Sequence, residues 1–295
     1  MSRISSFVLL VALATGIGWA ARQSSPAAND AATVEVDSAW VATHLLNLRR
    51  ILNLPGSIRL DFREKGEGSV PGYHLLLFDL RSGEERRTIQ LYVSQDGRSV
   101  FYERLYDVED PFQRFRDAIR LEEEPTRGPD DALVTIVEYS DYTCGYCRQF
   151  FHTLEEPLFE RYGGQVRLVY KHFPLTGARA WAEDAAIASA CAYRQGNDRF
   201  WALHGKLFQA ATRLREGKSL LLELARQAGL DLPAFRQCLE QQDALIDIAQ
   251  DVEEGERLGV DGTPSFFING RPIPGLLPPE HFFHIVDEEL AAARR

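Results

Sequence analysis

Apolar residues fall into several rhythms along this chain, and each rhythm predicts an element. Over 37–52, Val41, Leu45, Leu48 and Leu52 recur at helical spacing behind Asp37 or Ser38 as N-cap, and Pro55-Gly56 ends the run. Four strand-like runs follow. Ile58, Leu60 and Phe62 alternate with Arg59, Asp61 and Arg63, and 73–80 is more fully apolar, as a central strand would be. Ile89, Leu91 and Val93 alternate again, and Asp96-Gly97 turns the chain into 99–106. One helix across a four-stranded antiparallel sheet is a small α+β domain, cystatin-like in class, set at 35–108. It holds no cysteine and no cluster of catalytic side chains, so assembly or partner binding is its expected role.

A second amphipathic helix opens at Asp110-Pro111 and runs through Phe112, Phe115, Ile119 and Leu121. The stretch 122–129 is acidic and contains Pro and Gly, which reads as a linker. These features set a helical linker at 109–130 and a second domain at 131–295. In that domain 133–139 is a β-branched strand, 145–162 a helix interrupted by Pro157, and 165–171 another strand. About 176–258 predicts four or five helices and no strand. The runs 265–268 and 271–273 form a hairpin through Asn269-Gly270, and 279–295 is a closing helix. Phe200, Trp201, Leu203, Leu207 and Phe208 make an aromatic helical stripe that predicts core.

The amino terminus follows a different pattern. Arg3 precedes a nearly all-apolar run over 7–14, and 16–21 ends in small residues. That is a signal peptide over 1–21, cut after Ala20 or Ala21, or an anchor if left uncut; 22–34 is a flexible leader. Either way the bulk of the chain is expected in the periplasm or another extracytoplasmic space, where disulfides persist. Of 295 residues, 45% are apolar and 26% charged, which suits a folded globular chain and excludes a disordered or collagen-like one. The net charge of −10, with no long basic block, argues against nucleic acid as a partner.

Cys144-Gly145-Tyr146-Cys147 sits where the 133–139 strand gives way to a helix. Backbone N–H groups and the positive end of the helix dipole then face the first sulfur and favour its thiolate. Cys144 is the expected nucleophile. Cys147, one turn inward, is the resolving thiol that closes an internal disulfide. A zinc site or an inert structural disulfide are the alternatives, but no second CxxC exists for a metal and the strand–CxxC–helix context favours redox chemistry. Thr263-Pro264 precedes an apolar strand, where a cis bond could bring backbone groups against the cysteines.

The segments 137–147 (VEYSDYTCGYC) and 259–270 (GVDGTPSFFING), with the helical stretch between them, resemble the DsbA-type thioredoxin-fold family over roughly 131–290. The resemblance implies an α/β thioredoxin fold with a helical insertion, a catalytic Cys144/Cys147 disulfide needing no other cofactor, and Pro264 as the cis-proline. It also implies substrate contact by Gly145, Tyr146, Thr263 and Pro264. Glu138 matches the family's buried acid, which would relay the proton of Cys147; the alternative is a strand-edge Glu facing solvent. The segments 92–101 and 105–108 resemble the end of the dimerisation domain of DsbC/DsbG-type disulfide isomerases, which would make the chain a homodimer. Gly145-Tyr146 and Thr263 fit the isomerase pattern, whereas Glu138 fits the oxidase.

Cys191 and Cys238 remain. In an exported chain two leftover cysteines pair by default, although a second redox pair and two free thiols stay open. His281 and His284, at i and i+3, could chelate a metal, but with no third ligand nearby no metal is expected. His172 follows a strand and is expected to pack. The cluster over 213–218 is read as a solvated helix end. Together these features predict an exported thiol–disulfide oxidoreductase acting on reduced or misfolded proteins. Its partner in the membrane would be a quinone-linked oxidase in the oxidising direction, or an electron-donating reductase in the isomerase or reductase direction. A non-catalytic chaperone or assembly module using the 57–106 sheet is the rival.

Overall fold

The computed structural model describes residues 34–66, 70–83, 85–102, 104–175, 180–242 and 244–294. The expected signal at 1–21, and the leader as far as residue 33, lie outside the described residues. Helix α1 (Ser38–Ile51) starts where the Asp37 carboxylate accepts from the N–H groups of Ala39 and Trp40, both at 2.9 Å, and Arg49 and Arg50 complement its last turn. An antiparallel meander follows, in the order β1 (Arg59–Gly66), β2 (Tyr73–Ser82), β3 (Glu85–Ser94), β4 (Ser99–Tyr102) and β5 (Arg104–Asp107). Five strands stand where the sequence predicts four. The 99–106 run folds back on itself, with Val100 opposite Tyr106 and Phe101 opposite Leu105. Apolar residues continue on both sides of the reversal, so periodicity alone does not reveal it.

The expected helical linker at 109–130 is mostly not helical. Helix α2 is short (Gln113–Ala118), and Thr126–Arg127 forms β6, an edge strand antiparallel to β8 (Val166–His172). The acidic stretch before it is not simply solvated. Glu124 is buried because the fully buried Lys171 donates to it at 2.8 Å and Arg120 pairs with it as well. Lys171 also meets Asp251 at 3.1 Å and Glu254 at 3.2 Å, and Tyr139 donates to Glu254 at 2.6 Å. Composition marks charge but not its counter-charge, which here comes from distant strands and helices.

The second sheet runs β10-β9-β7-β8-β6, with β7 (Val134–Ser140) parallel to β8 and antiparallel to β9 (Ser265–Ile268); β10 (Arg271–Pro274) closes one edge. After β7 come α3 (Gly145–Phe150), one π turn (Phe151–Glu155) and α4 (Glu156–Tyr162). The expected interruption is thus a widened turn just ahead of Pro157, whose missing N–H cannot continue the ladder. Among the described residues the insertion holds five α-helices: α5 (Ala180–Tyr193), α6 (Asn197–Gln209), α7 (Lys218–Gln227), α8 (Leu232–Gln241) and α9 (Leu245–Leu258). Cys191 on α5 is bonded to Cys238 on α8 with Cα atoms 5.9 Å apart. Closing that loop contributes about 4 kcal/mol in the chain-entropy account. Gly255 lets α9 press on the sheet, since a Cβ there would meet Phe173 at 2.9 Å and Tyr139 at 3.1 Å.

Strand alternation divides the sheet's two faces. Ile136, Leu168, Phe266 and Ile268 pack against α3, α4 and α10 (Pro279–Ala293). Val137, Tyr139, Val169 and Phe267 pack the other way, in one apolar cluster with Trp40, Leu48, Phe78, Phe112 and Phe115. The α+β domain therefore covers a face of the second sheet. A buried ion pair pins the two together: Arg50 Nε and Nη2 donate to Glu289 of α10 at 2.9 and 2.6 Å. Arg271, also buried, reaches Glu288 at 2.8 Å and Asn53 at 2.7 Å. Arg50→Met leaves Glu289 with only the 3.5 Å contact from Arg271. The expected loss is about 3 kcal/mol of unfolding free energy, read as a lowered urea midpoint.

Candidate redox site

Cys144 occupies the N-cap of α3 with extended backbone, φ −76° and ψ 129°, and its sulfur faces the N–H of Cys147 at 3.5 Å. The approach to it is fixed by Asp141, which is buried. One of its oxygens accepts from the Thr143 N–H at 2.6 Å and hydroxyl at 2.8 Å, and the other from the Leu175 N–H at 2.9 Å. From the far end of the domain the Thr263–Pro264 bond, which is cis, brings the Thr263 carbonyl to 3.2 Å from the Cys144 sulfur. Residues 119 positions apart thus meet at one sulfur.

Both cysteines are thiols here, and their surroundings push them in opposite directions. Cys144 is held down to about 6, first by hydrogen bonding from the Cys147 thiol. The N–H groups of Cys147 and Tyr146 add to this, against the opposing effect of partial burial. Cys147 is fully buried and raised well above an ordinary thiol, chiefly by desolvation and then by its neighbour Cys144. The arrangement gives one accessible thiolate and one sheltered proton.

Glu138 lies on β7, between Tyr170 of β8 and Phe266 of β9, and is 1% exposed. It is no strand-edge carboxylate. Neither of its oxygens has a hydrogen-bond partner among the described residues, and burial pushes it up to about 8; nearby Ser140 opposes this, while Glu155 and Cys144 add to it. Gly145 and Tyr146 lie exposed in the first turn of α3, Tyr146 at 66%. A cavity of about 480 Å³ beside Cys144 is lined by Arg148, Trp181 and Arg215 among others.

Cys191 and Cys238, joined to each other, lie within the helical insertion. His281 and His284 lie on α10, with His284 3.3 Å from Glu288, and no set of three potential metal ligands comes together among the described residues. His172 is buried, its N–H donates to Asp251 at 2.9 Å, and burial lowers its ring to about 3. Arg213 pairs with Glu216 on the surface at 2.9 Å. Three residues of this neighbourhood escaped the sequence reading: Tyr142, Glu155 and His204. His204 interrupts the aromatic stripe of α6 with a polar group, which was the available signal.

A thioredoxin family profile (Thioredoxin_4) matches residues 120–288, more than half of the chain. Among curated proteins, the chain is 39% identical over 168 residues to "Na(+)/H(+) antiporter NhaA 3" of Salinispora tropica, covering 57% of this chain and 25% of that protein. The chain thus spans about a quarter of the length of that antiporter-named relative. It is 30% identical over 150 residues to "Probable disulfide bond formation protein D" of Bacillus cereus, covering 48% of this chain and 68% of that one. Among solved structures, BdbD of Bacillus subtilis in its oxidised form superposes with a TM-score of 0.52 at 22% identity, covering 58% of this chain and 95% of that chain; the likeness is one of fold.

The geometry at the cysteines makes a direct prediction. In the reduced protein, alkylation of Cys144 by iodoacetamide should rise with pH through about 6 and level off above it, while Cys147 stays unmodified in the native state. At pH 7 the thiolate fraction should exceed that of an ordinary thiol roughly 30-fold. An alkylation midpoint near 8.5 would contradict the assignment. Family profile, fold and paired cysteines agree: the chain belongs to the thioredoxin family.

Proposed function

We propose that this protein is exported and forms disulfides in substrate proteins. The observation that carries the reading is the opposed pair of sulfurs: Cys144 is held as thiolate down to about 6 while Cys147 keeps its proton. Stabilising the dithiol form by holding one sulfur as thiolate makes the corresponding disulfide a stronger oxidant. The B. cereus relative, whose name speaks of disulfide bond formation, supports the same direction. Export rests on the apolar run at 7–14 with the small residues after it, and the Cys191–Cys238 disulfide suits an oxidising compartment.

In the reaction, a substrate thiolate attacks Cys144 of the Cys144–Cys147 disulfide. The S–S bond breaks, its electron pair goes to Cys147, and the protonated carboxyl of Glu138 gives Cys147 its proton. A second substrate thiolate then attacks the substrate sulfur of the mixed disulfide and expels Cys144 as a thiolate. The substrate loses two electrons, the motif gains two, and a quinone-linked membrane oxidant restores the disulfide. Thr263 and Pro264 offer backbone to the bound peptide, with exposed Tyr146 and Gly145 beside it.

The test is the redox state of Cys144/Cys147 in the living cell envelope. Acid quenching and a mass-adding thiol reagent would read it, in a Cys191→Ala/Cys238→Ala background. The motif should be found oxidised; a reduced motif would overturn the reading in favour of an isomerase or reductase. In vitro, Cys144→Ser should abolish disulfide formation in a reduced substrate protein, and Glu138→Gln should slow it about 100-fold at pH 7.

A further inference from the structure

The cavity of about 480 Å³ beside Cys144 carries charge that the disulfide chemistry described above does not use. Three segments wall it. Half-buried Arg148 stands one turn after Cys144 on α3, where its N–H donates to the Cys144 carbonyl at 3.1 Å. Trp181, in the first turn of α5, supplies an aromatic wall packed against the core of the insertion. Arg215 comes from the 3₁₀ turn Leu214–Glu216, which buried Leu214 anchors while Arg215 itself is exposed. Gly145 also lines the cavity, and a Cβ there would meet nothing within 4 Å, so the approach to the sulfur is open. Thr263, whose carbonyl faces the same sulfur, is not among the walls. The cavity is therefore separate from the backbone edge that the cis-proline loop presents.

Among the described residues no carboxylate lines this cavity, and neither Arg148 nor Arg215 has an ion-pair partner. The acid next to Arg215, Glu216, is engaged elsewhere, with both oxygens accepting from Arg213 at 2.9 Å. Asp141, just ahead of Cys144, has its oxygens on Thr143 and Leu175. By contrast Arg50, Arg120, Arg127 and Arg271 each meet a carboxylate. In a chain of net charge −10, two cations without a counter-charge beside the nucleophile are a local reversal of sign. A guanidinium fork matches the geometry of a carboxylate, and a molecule that enters here must also bring a sulfur to Cys144. We propose that this cavity selects substrates: Arg148 and Arg215 receive the carboxylate of an Asp or Glu one or two residues from the cysteine of an acidic polypeptide. That spacing follows from the advance of an extended chain, about 3.3 Å per residue. Trp181 covers the methylene stem of the same side chain. The inference rests on the reading of Cys144 as the sulfur that substrate thiolates attack.

The experiment measures the second-order rate at which the oxidised full chain oxidises reduced two-cysteine peptides that differ only in the residue beside each cysteine: Glu, Gln or Lys. Each rate is divided by that peptide's rate with a small disulfide in solution, which removes the neighbour's effect on the thiol itself. At low ionic strength the Glu peptide should be favoured over the Gln peptide about fivefold, with the Lys peptide slowest. Salt at about 0.5 M should bring the Glu-to-Gln ratio close to one. Arg148→Gln/Arg215→Gln should lose the ratio, and Arg215→Glu should turn the preference toward the Lys peptide. Equal corrected rates for the Glu and Gln peptides in the wild type overturn the proposal and leave Cys144 as the attacked sulfur. A Glu preference that survives in Arg148→Gln/Arg215→Gln overturns it too. Should that double variant fail to fold, the exposed Arg215→Glu decides alone, and an undiminished Glu preference there overturns the proposal. Oxidation of none of the peptides removes the disulfide-donor reading itself, and this inference with it.

Discussion

Strand β7 is hydrogen-bonded on both edges and covered on both faces, and the site depends on that confinement. A strand so enclosed has no solvent-facing side, so successive residues must bury whatever they carry. At Tyr139 the requirement is met by a hydroxyl bonded to Glu254. At Glu138 it is not met, and the carboxyl has no hydrogen-bond partner among the described residues. A carboxyl in that position lowers its free energy by keeping a proton, and a buried thiolate in need of one is its neighbour.

The same strand delivers Cys144 at its C-terminal end. There the chain reverses through Asp141 and enters α3 with the N–H groups of its first turn turned toward the Cys144 sulfur. One sulfur thus lies among donors and partly in solvent, while the other, three residues on, lies among rings and aliphatic side chains. The chemical difference between two identical side chains comes from where a single helical turn places each of them. The facing carbonyl of Thr263 adds a third wall, contributed by the loop after α9.

The amino-terminal domain has a structural consequence for this site. Its helix and sheet bury Val137, Tyr139, Val169 and Phe267, the face of the sheet opposite the cysteines, and the Arg50–Glu289 pair locks the two units in register. The buried Lys171, ringed by Glu124, Asp251 and Glu254, ties the connecting segment and α9 to β8. Such a cluster costs more to break than to leave in place, because each removal strands a charge in the core. The result is a sheet held from behind, against which α3 can hold its N-terminus still.

Much of this was written in local sequence. Helical and alternating spacings placed α1, most of the strands and the helical insertion, since those periods follow from backbone geometry alone. The Cys144-Gly145-Tyr146-Cys147 motif after a β-branched strand announced the redox pair, because the chemistry needs a helix N-terminus and the chain supplies one within a few residues. What the sequence did not hold was partnership across distance. The burial of Glu124 depends on Lys171 and Arg120, the fold-back of 99–106 depends on pairing rather than period, and the setting of Glu138 depends on strands lying on both of its sides. Glu155, His204 and Tyr142 come from three separate segments and meet only when α6 packs onto the π turn. The sequence by itself determined which groups could do the chemistry; tertiary structure decided their protonation, because burial and neighbouring charge are properties of the packed chain and not of the residue.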